Sequence, residues 1–161
     1  MNRYKKSKNP FSGGTEDYCS GNGSIMRLAP VPIRFAFSDP ERGLEESSNS
    51  SKLTHAGKYA IDCSVLQAGI IISFLRKELT KEQLFSKEPN YLRSLIAKHS
   101  LDAKVMELID SDYATLTEND VQGTAFAVNS LQAALWAFYH TSSFSEGALK
   151  VGKLETIDYH K

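Results

Sequence analysis

Cysteine is scarce in this sequence: Cys19 and Cys63 are the only two. Two thiols so far apart make no disulfide framework and no zinc site, so a reducing compartment is the default and the cytoplasm the expected location. A surplus of charge of one sign is also missing. Lys plus Arg and Asp plus Glu both number 19, giving a formal net charge of zero. That argues against a broad electrostatic footprint for nucleic acid or a membrane surface, so neither is expected as a partner. No secretory-type apolar segment opens the sequence. The most apolar run, Val65 to Leu75, is too short to span a bilayer and contains Gln67. No stretch alternates long enough to commit to a sheet, and none repeats. What remains is a chain of 161 residues, 41% hydrophobic, rich enough to avoid disorder and long enough for one domain with its own core.

The most informative stretch is Ser20-Gly21-Asn22-Gly23-Ser24-Ile25-Met26-Arg27. Glycine reaches positive φ without a Cβ penalty, and asparagine tolerates it better than most residues. A Gly-Asn-Gly bend can therefore turn several backbone N–H groups towards one point. Ser24 can instead cap a helix through Ile25, Met26, Leu28 and Ala29. Amides gathered at a helix start form an anion site, for which a phosphate is the natural guest. The same spacing also suits a tight loop that binds nothing. Arg27 suits either a phosphate or a buried carboxylate that holds the loop in place. Cys19, beside the bend, reads as a small filler residue.

The rest of the sequence reads as helices. Apolar residues recur at helical intervals from Ser24 to Phe37, with Pro30 and Pro32 as interruptions. Ser38-Asp39-Pro40-Glu41 carries a cap, an early proline and a first-turn carboxylate, so a polar helix starts there and runs towards Ser47–Ser51. His55 to Lys77 is the longest helical candidate. Its second half is apolar nearly all round, which marks a central helix packed on several sides. His55 stands at its N-terminal end, as a ligand contact or as a capping histidine, and Asp62 and Gln67 read as satisfied or interfacial polar residues. Thr80-Lys81-Glu82-Gln83 and Ser143-Phe144-Ser145-Glu146 are capping-box sequences. Tyr91 to Ile96, Val105 to Ile109 and Thr124 to Tyr139 supply further apolar stripes. Asp110 and Asp112 read as a solvated helix end. The fold class is all-α. Residues 1–17, with Arg3, Lys5, Lys6 and Lys8, read as a mobile polar arm, and residues 150–161 as a divergent tail.

Gly21-Asn22-Gly23-Ser24-Ile25-Met26-Arg27, with Ala29-Pro30 after it, resembles the Gly-Asn-Gly-small-x-Met-Arg signature of the ADP-ribosylglycohydrolase family. Ser50-Ser51-Lys52-Leu53-Thr54-His55-Ala56 and Asn129-Ser130-Leu131-Gln132-Ala133-Ala134-Leu135-Trp136-Ala137-Phe138 resemble two later family motifs, in the same order. The likeness covers Ser20 to Leu149. It implies that residues 18–149 form part of an orthogonal helical bundle, helical up to Thr54 in the Ser/Asn-rich passage. It also implies an ADP-ribose contact set of Ser20, Gly21, Asn22, Gly23, Ser24, Met26 and His55. The implied partner is ADP-ribose or an ADP-ribosylated substrate.

Members of this family hydrolyse the glycosidic bond between ADP-ribose and an acceptor, using a pair of magnesium ions. Hard divalent cations need several carboxylate oxygens in near-octahedral array. The resemblance places those ligands in a Thr-Asp-Asp run before the Gly-Asn-Gly loop and an Asp-x-Asp-Thr run after the last helix. Neither run is in this sequence. Glu155, Asp158 and His160 do not reproduce the spacing, so no metal ligand and no catalytic residue is assigned. The expectation is therefore a family hydrolase segment that is inactive alone. A non-catalytic ADP-ribose-binding module or a structural helical remnant are the alternatives. With part of the family domain missing, the helices around His55 and Thr124 are expected to expose apolar faces and self-associate.

Overall fold

The computed structural model describes residues 2–154, and among them helices follow one another without a strand. They are α1 (Asn2–Ser7), α2 (Gly23–Met26), α3 (Pro30–Phe35), α4 (Pro40–Lys52), α5 (Lys58–Leu75), α6 (Lys81–Leu84), α7 (Tyr91–Ile96), α8 (Ala103–Asp110), α9 (Ala127–His140) and α10 (Phe144–Val151). The fold is all-α, as the patterning predicts. Glu155, Asp158 and His160 lie outside the described residues.

Helix α5 is the axis. It packs against α2, α3, α4, α7, α8 and α9, and Ala60, Cys63, Leu66, Ala68 and Ile72 on it are fully buried. At 18 residues and mean hydropathy 1.4 it is long and apolar enough to cross a bilayer; here those residues pack against other helices instead, the arrangement expected of a core helix. Cys63 is sealed inside it, and burial, followed by the charge of Asp62, pushes its thiol up to about 12, which leaves it inert as a nucleophile. The helix closes with a left-handed Lys77 at φ 60°. Lys77 N–H donates to the Phe74 carbonyl and Glu78 N–H to the Ser73 carbonyl, each at 3.0 Å, which satisfies two of the carbonyls in the last turn.

Helix α4 starts as its sequence predicts: Pro40 opens it and the Asp39 carboxylate accepts from Arg42 N–H at 3.1 Å. The Ser/Asn-rich passage does not end it. Gly43, Leu44, Ser47 and Ser51 form its buried stripe, and small residues there let α4 lie close to α5. A Cβ on Gly43 would stand only 3.0 Å from Ile72 Cδ1. The buried serine hydroxyls donate back one turn, Ser47 to the Gly43 carbonyl and Ser73 to the Gly69 carbonyl, each at 2.7 Å. Helix α4 therefore runs to Lys52, two residues short of the Thr54 implied by the family likeness.

The break at the prolines falls as expected, and two other boundaries differ from the sequence reading, each for a physical reason. Pro30 and Pro32 sit in the first turn of α3, where a missing N–H costs nothing, and they interrupt the run from Ser24 to Phe37 as the sequence predicts, dividing it into α2 and α3. His55 is not on α5 but in the loop before it, since α5 starts at Lys58. Residues 124–126 are not helical either. They run beside the Gly-Asn-Gly bend, with Asn22 N–H donating to the Ala125 carbonyl at 2.7 Å and Ala127 N–H to the Ser20 carbonyl at 2.9 Å. Both capping boxes mark real starts. Thr80 and Gln83 cap each other reciprocally, while Glu146 reaches past Ser143 to Ser142 N–H at 3.2 Å.

Candidate functional site

Two segments converge on the bend, and a third backs the loop that carries His55. The loop before α5 brings Thr54 and His55, the stretch before α9 pairs with Ser20–Asn22, and residues 12–14 run along the far side of the His55 loop. Gly13 N–H donates to the Lys52 carbonyl at 3.1 Å and Ala56 N–H to the Gly14 carbonyl at 2.8 Å. A Cβ on Gly13 would meet the backbone of Thr54 and His55 at 2.7 Å, so only glycine fits there. The sequence reading placed Gly13 and Gly14 in the polar arm. An adjacent glycine pair was the signal for a close backbone approach.

The glycines of the bend do not use positive φ; among the described residues no glycine does. Their role is space. A Cβ on Gly21 would lie 3.1 Å from His55 Nε2, and one on Gly23 would lie 2.9 Å from His55 Cε1. The imidazole thus occupies the room that two side chains would fill. Asn22 is an anchor: its backbone is in the right-handed helical region, its N–H goes to Ala125, and its side-chain Nδ2 donates to Ser130 Oγ at 2.9 Å. Ser130 Oγ donates onward to the Thr124 carbonyl at 2.6 Å.

Ser24 is not the helix cap that the sequence allowed. It lies inside α2, and Asn22 holds the N-cap position without a side-chain bond. The Ser20 and Ser24 hydroxyls are buried without hydrogen-bond partners among the described residues. Ser20 Oγ sits against Gly57, where a Cβ would approach to 2.4 Å. Met26 is 77% exposed, while Gly21, Asn22, Gly23 and His55 are half-buried. Of the expected contact set, Gly21 and Gly23 thus lie against the half-buried His55 ring, Ser20 and Ser24 are buried, and Met26 projects to solvent.

Among the described residues Arg27 is held by carbonyls and a hydroxyl, not by a carboxylate. Its guanidinium donates to the Gly23 carbonyl at 3.1 Å, the Ser50 carbonyl at 2.8 Å and Thr54 Oγ1 at 2.7 Å. Thr54 Oγ1 in turn lies 2.8 Å from His55 Nδ1. Burial first, and the Arg27 charge second, hold the imidazole below its ordinary value of 6.5.

Other candidate residues fall elsewhere. The Asp62 carboxylate is paired with Lys58 at 2.6 Å and accepts Asp102 N–H at 2.8 Å, as a satisfied polar group should. The Gln67 side-chain oxygen is buried without a hydrogen-bond partner among the described residues, which rules against the satisfied reading there and leaves the interfacial one. Asp110 is an ion-pair partner of Arg93 at 2.7 Å rather than a solvated end. Among the described residues no three of His, Cys, Asp and Glu come together in a way that could hold a metal ion. They do not fit a magnesium pair.

The sequence profile of the ADP-ribosylglycohydrolase family matches residues 1–154. The chain belongs to the ADP-ribosylglycohydrolase family. It is similar to the ADP-ribosylarginine hydrolase Tri1 of Serratia proteamaculans (strain 568), at 25% identity over 155 residues, 96% of this chain and 39% of that protein. The protein of the same name from Pseudomonas putida (strain GB-1) is 27% identical over 144 residues, 89% of this chain and 36% of that one. A solved structure described as an ADP-ribosylglycohydrolase-related protein complex matches with a TM-score of 0.73 at 25% identity, covering 93% of this chain and 48% of that chain. The chain therefore spans less than half the length of these relatives. The bend carries the Gly21-Asn22-Gly23 run, and the Thr54-His55 pair supplies the ring that lies against it.

Proposed function

We propose that the face made by Gly21, Gly23 and His55 holds the ADP-ribose portion of an ADP-ribosylated substrate, and that this segment serves hydrolysis of an ADP-ribose glycosidic bond. The observation that carries the reading is the His55 ring set against both glycines of the family signature. The relatives named as ADP-ribosylarginine hydrolases point to arginine as the acceptor. In the family, magnesium supplies Lewis-acid activation at the ribose. The described residues bring together no donor set for it, so the chain alone binds ADP-ribose and does not cleave it. Nucleic acid and membranes are not its partners in this reading. The low cysteine content suits a cytoplasmic setting.

Calorimetric titration of the 161-residue chain with ADP-ribose tests this. Saturable heat in the micromolar class, unchanged by chelator, is the expected result. Incubation with an ADP-ribosylated arginine peptide and excess magnesium should release no ADP-ribose. A cooperatively folded chain that gives no heat removes the binding reading and leaves a structural helical remnant. Release of ADP-ribose by the chain overturns its inactivity.

A further inference from the structure

A guanidinium can only donate hydrogen bonds, and Arg27 gives one to Thr54 Oγ1 at 2.7 Å. That bond takes one lone pair of the hydroxyl and polarises its O–H, making it a stronger donor and a poorer second acceptor. The group within reach of the O–H is His55 Nδ1, at 2.8 Å. If the hydroxyl donates there, Nδ1 carries no proton, and the neutral ring keeps its proton on Nε2. Nε2 lies in the ring edge that faces the bend, between Cε1 and Cδ2, 3.1 Å from the position of a Gly21 Cβ and 3.4 Å from that of a Gly23 Cβ. The same guanidinium also donates to the Gly23 carbonyl at 3.1 Å, so one side chain sets both the place of the loop and the proton of the ring beside it.

We propose that Arg27 and Thr54 are positioning residues that fix His55 as the Nε2–H tautomer, so that the ring presents a hydrogen-bond donor into the Gly21–Gly23 face for an anionic or carbonyl oxygen of the ligand. This rests on the assignment of that face to ADP-ribose for the ligand's identity, but not for the state of the ring. Two further observations support it. Arg27 makes its third bond to the Ser50 carbonyl at 2.8 Å, which fixes the guanidinium in a planar fork that lysine does not reproduce. Burial and the Arg27 charge both disfavour the doubly protonated ring, in which Nδ1–H would confront the hydroxyl.

Long-range nitrogen–proton NMR of the imidazoles in the full chain, with His55 assigned through His55→Asn, reads the tautomer directly. The expected spectrum has a protonated Nε2 and a bare Nδ1. A protonated Nδ1 in the unsubstituted chain overturns the proposal. Thr54→Ser keeps the hydroxyl and should keep the tautomer. Thr54→Val removes it and should give mixed tautomers, as should Arg27→Lys, with ADP-ribose binding weakened about ten-fold by loss of one oriented hydrogen bond. An unchanged Nε2–H ring in a folded Thr54→Val overturns the role of Thr54. If Thr54→Val does not fold, the unsubstituted chain and Thr54→Ser still decide. Failure of the unsubstituted chain to bind ADP-ribose, with the ring spectrum as expected, contradicts the ligand assignment and supports the tautomer claim.

Discussion

His55 Cε1 lies 2.9 Å from the point where a Cβ on Gly23 would be built. No real Cβ contact is that short, so Gly23→Ala must displace the ring or the loop. ADP-ribose affinity is expected to fall more than about ten-fold. A double-mutant cycle isolates the cause: in a His55→Ala background the same change at Gly23 should cost nothing further. An additional loss there would show that the alanine acts through the loop and not through the imidazole.

Protonation of His55 gives a stability signature with a definite sign. Its folded value lies below the ordinary 6.5, through burial and then the Arg27 charge. As pH falls below 6.5, the unfolded chain takes up a proton at this residue before the folded chain does. Stability from this group is therefore complete above the ordinary value and is lost as pH drops towards the folded one. Denaturant melts at about pH 7.5 and 5.5 should show less acid sensitivity in His55→Gln than in the unsubstituted chain. Equal sensitivity in both would place the cause at other groups.

Lys77 closes α5 in the left-handed region, φ 60°, where a side chain is strained and glycine is not. Lys77→Gly should stabilise the chain by about 0.5–1 kcal/mol, read as a rise in the thermal midpoint. A fall in the midpoint would mean that the lysine stem contributes more than the strain costs.

One group of exposed apolar side chains lies on α9 and α10, apart from Tyr18, Met26, Ile33 and Phe37 earlier in the chain. Phe144 is 92% exposed, Leu149 68% and Phe138 42%, and they stand along α9 and α10, whereas α5 is covered by its neighbours. A cleft of about 820 Å³ lies between those two helices and the start of α6, lined by Ala134, Ala137, Phe138, Phe144 and Val151. Self-association is expected there. In sedimentation velocity, Phe144→Asp should shift the chain towards monomer; a concentration-independent monomer before substitution contradicts the expectation.

Helix starts and the central helix were legible because their signals are local. Asp39-Pro40, the Thr80 capping box, and an apolar surround from Cys63 to Leu75 act within a few residues of themselves. The Ser47–Ser51 passage stays helical, as the family likeness implies, and its small serines let α4 lie against α5, Ser47 bonding back to the Gly43 carbonyl and Ser51 forward to the His55 carbonyl. The bend itself was legible as a motif, but the purpose of its glycines was not. Positive φ is a property of one residue, while room for an imidazole 32 positions later depends on tertiary structure. Arg27 shows the same limit. Its type announced a charge to be met, and only the fold reveals two carbonyls and a hydroxyl as the answer.

Amide NMR of the labelled chain titrated with ADP-ribose tests most directly whether the bend and the ring hold one ligand together. The expected result is that the backbone signals of Gly21, Gly23 and Ser24 and the ring signals of His55 shift along one saturable curve, identical with and without chelator. Shifts confined to other surfaces, or a bend and ring that titrate with different affinities, would contradict it.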